Sequence, residues 1–149
     1  MITVSSAAID TAATLKAFEA ENQGSGAIVS FSGIVRNTAN SNTVTALHLQ
    51  TYEPMTTTGI ADAASAANQR WPLNGLHIQH RIGTITAGEI IVFVAAASAH
   101  RRAAFEAVDF IMDYLKTRAV FWKKEITTNG EVWIEPRPED YTDSARWTT

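Results

Sequence analysis

Apolar residues are densest between Glu89 and Ser98, where both alternating sets are hydrophobic: Ile90, Val92 and Val94 on one side, Ile91, Phe93 and Ala95 on the other. Such a run predicts a strand in the middle of a sheet, covered on both faces. After it the period changes. Phe105, Val108, Met112, Leu115 and Ala119 recur three and four apart, which makes one apolar stripe and predicts a helix of about five turns. The FWKKE run, Phe121–Glu125, then returns to strand character.

The same reading orders the rest of the chain. Ile2 to Val4 suits a short strand, and Asp10 can cap a helix to about Glu21, with Ala8, Ala12, Leu15 and Phe18 as its apolar face. Ala27, Val29, Phe31, Gly33 and Val35 alternate with Ile28, Ser30, Ser32 and Ile34 as a strand closed by Arg36. The polar stretch Asn37–Val44 is expected to be a mobile loop. Val44–Glu53 reads as a strand, and Pro54 opens a helix with the stripe Ile60, Ala64, Ala67 and Trp71, ended by Pro72. Leu76, Ile78, His80 and Ile82 form the apolar side of a further strand, with His80 read as a core histidine. Gly83 to Gly88 is expected to be a turn. Asn129-Gly130 predicts a hairpin to Glu131–Glu135, and the polar residues 136–149 an arm. The element order predicts α+β, one domain over residues 1–149, with a mainly antiparallel sheet.

Composition narrows the chemistry. With 149 residues and a net charge of -3, the chain is large enough for a real core and is not a general nucleic-acid binder. There is no cysteine, which excludes disulfides, thiolate metal sites and cysteine nucleophiles. The N-terminus lacks the pattern of a signal peptide and no run is long enough to span a bilayer, so a cytoplasmic location is expected. Neither a phosphate-binding glycine loop nor an HExxH or GxSxG motif occurs, and no metal site or cofactor is expected.

The candidate chemistry sits around the long helix. Its first turn carries His100, Arg101 and Arg102, although a helix N-terminus is already partially positive. Two readings are open: a bound phosphate or carboxylate, or solvated arginines neutralised by Glu106. Lys116 follows Asp113 at helical spacing, and an ordinary surface ion pair is expected there. Lys123 lies between large aromatics and Glu125. A lysine against apolar surface loses hydration, which lowers its pKa and frees the amine to act as a base or nucleophile.

Taken together, GAIVSFSGIVRN, LHLQTYEPM, RWPL, HRIG, EIIVFVAAASAHR, FEAVDFIMDYLKTRAVFWKKE and GEVW closely resemble the large, catalytic subunit of molybdopterin synthase, the MoaE family. The resemblance runs from about Gly26 to Arg137 and is most specific over Ser98–Glu125. It implies a MoaE-like fold of the α/β hammerhead type, a mainly antiparallel sheet packed with about three helices. The implied enzyme is a sulfurtransferase of molybdenum cofactor biosynthesis. A small ubiquitin-like, MoaD-type subunit would deliver a C-terminal thiocarboxylate, and two sulfurs would pass to cyclic pyranopterin monophosphate to make the molybdopterin dithiolene.

By the same resemblance, the catalytic lysines are Lys116 and Lys123. The substrate-contacting residues are Ile34, Val35, Arg36, His100, Arg101, Lys124 and Glu125, with Arg137 matched more loosely. Ile34 is a departure, since that position is often lysine in the family. His100 and Lys116 are separated by roughly 24 Å along one helix, further than a pterin phosphate reaches. If both touch one substrate they come from different subunits, so a homodimer with composite sites is expected, forming a heterotetramer with two small subunits. Two rival classes are a non-catalytic docking module for a ubiquitin-like protein and a single-strand nucleic-acid binder using HRR, KTR and FWKK.

Overall fold

The computed structural model describes residues 1–148. It holds four helices and nine strands in the order β1 (Ile2–Ser5), α1 (Thr11–Glu21), β2 (Ala27–Ile34), β3 (Thr38–Ala39), β4 (Asn42–Thr51), α2 (Met55–Arg70), β5 (Leu73–Arg81), β6 (Gly83–Thr86), β7 (Ile90–Ser98), α3 (Arg101–Thr117), β8 (Phe121–Thr127), β9 (Gly130–Trp133) and α4 (Pro138–Ala145). The α+β expectation is borne out, with one helix more than foreseen.

The strands form two sheets. The first has the order β1-β5-β7-β2, antiparallel except for the parallel β1–β5 pair. In the second, β4 lies between β6 and β8, with β3 at one end and β9 beyond β8. The double-sided run is the central strand β7, and its parity divides the core. Val92, Val94 and Ala96 face the α2–α3 layer, while Phe93, Ala95 and Ala97 pack under α1 with Ile9 and Phe18. Both apolar sets are buried because both faces are covered.

Helix α3 is rotated from the expected stripe. Ala104, Ala107, Val108, Ile111 and Leu115 are buried, whereas Phe105 is 58% exposed. The small alanines let the helix lie close to β7, and the larger phenylalanine turns outward. Gly26 serves a similar close approach: a Cβ there would lie 2.1 Å from the Ala99 carbonyl oxygen.

Three segments expected to be irregular carry regular structure. Residues 37–44 are not an open loop but the β3–β4 hairpin, reversed at Asn40 and Ser41 with φ of 50° and 71°. Two successive positive φ values match the twist of paired strands. Within Gly83–Gly88, β6 pairs with β4, burying Ile85 beside Val44 and Leu49. In the polar tail, α4 packs on α3, tied by the two residues that follow its last turn. Asp113 accepts from Arg146 at 2.8 Å and from Trp147 Nε1 at 2.5 Å. Arg70 donates to the Trp147 carbonyl at 2.7 Å and stacks over Trp71, Phe110 and Trp147. The pattern was missed because these contacts join residues far apart in sequence, and no periodicity encodes them.

Candidate active site

A cavity of about 330 Å³ opens where the C-terminal end of α3 meets β8 and the segment leading into α4. Each wall has a local cause. The periodicity of α3 brings Lys116 to its last turn, where a cation suits the negative helix end. Strand alternation on β8 puts Phe121, Lys123 and Glu125 on the cavity face. The end of β2 supplies Ile34, Val35 and Arg36, with Val35 buried and Ile34 55% exposed. The chain after β9 closes the far side with Arg137, Asp140 and Tyr141.

The electrostatics of the cavity are uneven. Burial, with the charge of Lys116 next, lowers the Lys123 amine to about 8, while Asp140 pulls it back up. Burial alone would raise the Asp140 carboxyl, but its hydrogen bonds from the Arg137 backbone N–H (3.0 Å) and guanidinium (3.1 Å) outweigh that and bring it below the usual range. The same pairing raises the Arg137 guanidinium. His80, also on the wall, is lowered to about 4 mainly by burial, with Lys123 and Lys116 adding to the drop and its bond to the Arg81 carbonyl opposing it. The cavity therefore holds a histidine that stays neutral and a lysine that titrates near neutrality.

Of the residues singled out from sequence, Ile34, Val35, Arg36, Lys116, Lys123, Glu125 and Arg137 meet here. Lys124 does not line it: one step along the strand it points to the other face, pairing with Glu131 at 2.9 Å and lying 5.2 Å over Trp133. His100 and Arg101 do not line it either. They sit at the opposite end of α3, where Arg101 lines a second cavity of about 540 Å³ with Phe31 and Phe105. The N-cap His100 makes no side-chain capping bond, and Arg102 approaches Glu106 at 3.9 Å. Lys116 is not paired with Asp113, whose carboxylate is taken by Arg146 and Trp147.

A family model described as MoaE protein matches residues 4–118. The chain belongs to the MoaE family. It is 49% identical over 146 residues to the molybdopterin synthase catalytic subunit of Pseudomonas aeruginosa, covering 98% of this chain and 97% of that protein. It is 48% identical over 128 residues to the Escherichia coli catalytic subunit, covering 86% and 85%. Among solved structures, the MoaE protein of Burkholderia ambifaria superposes with a TM-score of 0.83 at 38% identity, covering 100% of this chain and 98% of that one. At this identity and coverage the expected enzyme class, a molybdopterin synthase catalytic subunit, is borne out. The similarity to MoaE proteins also reaches N-terminal of Gly26, beyond the motifs that carry the resemblance.

His80, Asp140 and Tyr141 were not foreseen as part of the cavity. His80 sat on the apolar side of its strand, and burial is indeed its state, at 5% exposure. Nothing in its local pattern showed that the same burial places it beside two lysines. Asp140 lies in the tail, whose polar composition hid a structured wall.

Proposed function

We infer that this cavity transfers sulfur from the thiocarboxylated C-terminus of a small ubiquitin-like, MoaD-type subunit to cyclic pyranopterin monophosphate, building the dithiolene of molybdopterin. The observation that carries the reading is the convergence of Lys116 and Lys123 on one cavity, with Lys123 held at about 8. The relatives are named as catalytic subunits, which implies a second subunit in their enzymes.

In each transfer the acyl C–S bond breaks and the sulfur takes the place of an oxygen on a carbon of the pterin side chain. There the C–O bond breaks and the oxygen leaves, protonated as water or still bound to the phosphate it carries. Water takes the place of sulfur on the acyl carbon, and the small subunit leaves with a carboxylate. The Lys116 ammonium orients the thiocarboxylate and offsets charge on its carbonyl oxygen. Lys123 carries both a protonated and a neutral population near pH 8, so it can deliver and remove the protons of the exchange. Glu125 and Arg137 contact the bound substrate from opposite walls, and Val35 packs against it. Ile34 stands where a lysine is common in the family, so phosphate binding falls to arginine and histidine.

A phosphate ester needs an anion site, and Arg36, His100 and Arg101 supply the cations. Since α3 holds His100-Arg101 and Lys116 at opposite ends, each working site takes its lysines from one subunit and His100-Arg101 from the other. The protein acts as a homodimer, a heterotetramer with its small subunits, in the cytoplasm, and residues 1–149 work as one domain. Lys124 belongs to this reading only if it turns from Glu131 when substrate arrives.

Molybdopterin formation from thiocarboxylated small subunit and cyclic pyranopterin monophosphate tests the activity. Mixing Lys116→Ala with Arg101→Ala subunits tests the composite site. Mixed dimers regain one working site each if it is right, and no gain over either parent overturns it.

A further inference from the structure

His80 lies in the cavity wall, yet the transfer described above gives it no task. Its setting is specific. The ring stacks on Phe121, with centroids 4.4 Å apart and planes inclined by 24°. Nδ1 lies 2.8 Å from the Arg81 carbonyl oxygen. A carbonyl only accepts, so Nδ1 carries the hydrogen and Nε2 is left with a free lone pair. Among the described residues the Arg81 carbonyl is the only hydrogen-bond partner of the ring, and the Lys123 amine has none, so the two are not bonded to each other in the resting structure. One is an acceptor, the other a donor, and both belong to side chains lining the same cavity.

Register brings them close. Phe121 and Lys123 are two apart on β8, on one face and about 7 Å from each other along the strand. A ring stacked on Phe121 therefore sits beside the Lys123 stem, within the reach of its four methylenes. We propose that His80 is a positioning residue for Lys123, its Nε2 accepting one N–H of the amine so that the rest of the nitrogen faces the reacting sulfur. In the ammonium form this leaves two N–H groups directed at the thiocarboxylate; in the neutral form it turns the lone pair into the cavity. The role rests on the sulfur-transfer reading above for its consequence, but the proposed bond itself does not.

The other charged groups lining the cavity are Lys116 from α3 and Asp140 from α4, both of which act on the Lys123 amine, with Arg137 and Glu135 after β9, Glu125 from the same strand, and Arg36 after β2. None changes in the variants used. His80 is held neutral down to about pH 4, so replacing it removes an acceptor and no charge.

The test reads the Lys123 titration by NMR of carbon-labelled lysine in the intact protein without substrate, in wild type, His80→Phe, His80→Met and His80→Gln. An acceptor steadies the ammonium, so both apolar variants lower the midpoint by roughly half a pH unit or more, while glutamine, whose oxygen reaches the Nε2 position, holds it near wild type. In turnover, the apolar variants lose about tenfold in kcat with KM little changed, and glutamine recovers part of it. A folded apolar variant with an unmoved Lys123 midpoint overturns the proposal; methionine serves if phenylalanine does not fold. A shifted midpoint in a protein that makes no molybdopterin would instead remove the sulfur-transfer reading and leave the proposed bond standing.

Discussion

Lys116 and Lys123 come from different elements, the last turn of α3 and strand β8, yet share one cavity, and the charge of the first helps hold the amine of the second at about 8. A lone partly buried lysine would be an ordinary structural feature. A cation that depresses the protonation of a buried amine is costly to keep beside it, and function is the usual reason for that cost.

Replacing either lysine by alanine is expected to lower kcat by about a hundredfold or more, the usual scale for loss of acid–base or electrostatic help. Circular dichroism should be unchanged, because neither side chain belongs to a core cluster. Single-turnover assays of molybdopterin formation check it; a variant within about twofold of wild type would remove that lysine from the chemistry.

The same amine predicts a stability effect of opposite sign. Its folded pKa, about 8, lies below the ordinary 10.5, so between these values the unfolded chain binds more protons and stability rises with pH. Below pH 8 the folded protein bears the full penalty of the buried ammonium. Lys123→Met should therefore be more stable than wild type at pH 7, by about 1–3 kcal/mol given its partial exposure, with the gap closing toward pH 10.5. Urea midpoints at pH 7 and pH 10 measure it.

His80 gives the acid limb. Its folded pKa of about 4 lies below the ordinary 6.5, so the stability from its neutral state is complete above pH 6.5 and is lost as pH falls toward 4. The loss should approach about 3 kcal/mol. In His80→Gln this part of the pH dependence should vanish, and denaturant midpoints between pH 4 and pH 7 show whether it does.

Much of this site was legible in the sequence, and the parts that were not share a cause. Alternation fixed which residues of FWKKE face together, and so why Lys123 and Glu125 enter the cavity while Lys124 leaves it. Helical rise alone separates His100 from Lys116. Periodicity could not tell Ala104 from Phe105 as the core residue, because that depends on how closely α3 approaches β7. Nor could it show α4, which is held by a carboxylate on one helix and an arginine on another.

Asp113→Asn tests that attachment. It keeps the size of the side chain but weakens two bonds to a nearly buried group, from Arg146 and Trp147, and should cost about 1–3 kcal/mol. Amide exchange should accelerate selectively in α4. Uniform acceleration along the chain would mean that Asp113 supports the whole core and not this helix.

Gly26→Ala tests the approach of β2 to the turn before α3. A Cβ meets the backbone oxygen of Ala99, which cannot rotate away, so a cost of about 1–3 kcal/mol is expected in thermal or urea unfolding.

The wall formed by Arg137, Asp140 and Tyr141, and its fastening through Trp147, also set an order of events during folding. Both sheets and α3 are complete in sequence by Trp133, before these residues. The cavity is not. A chain whose tail has yet to dock presents its lysines as open surface, and becomes a vessel for substrate only once residues 146 and 147 have found Asp113 and Arg70.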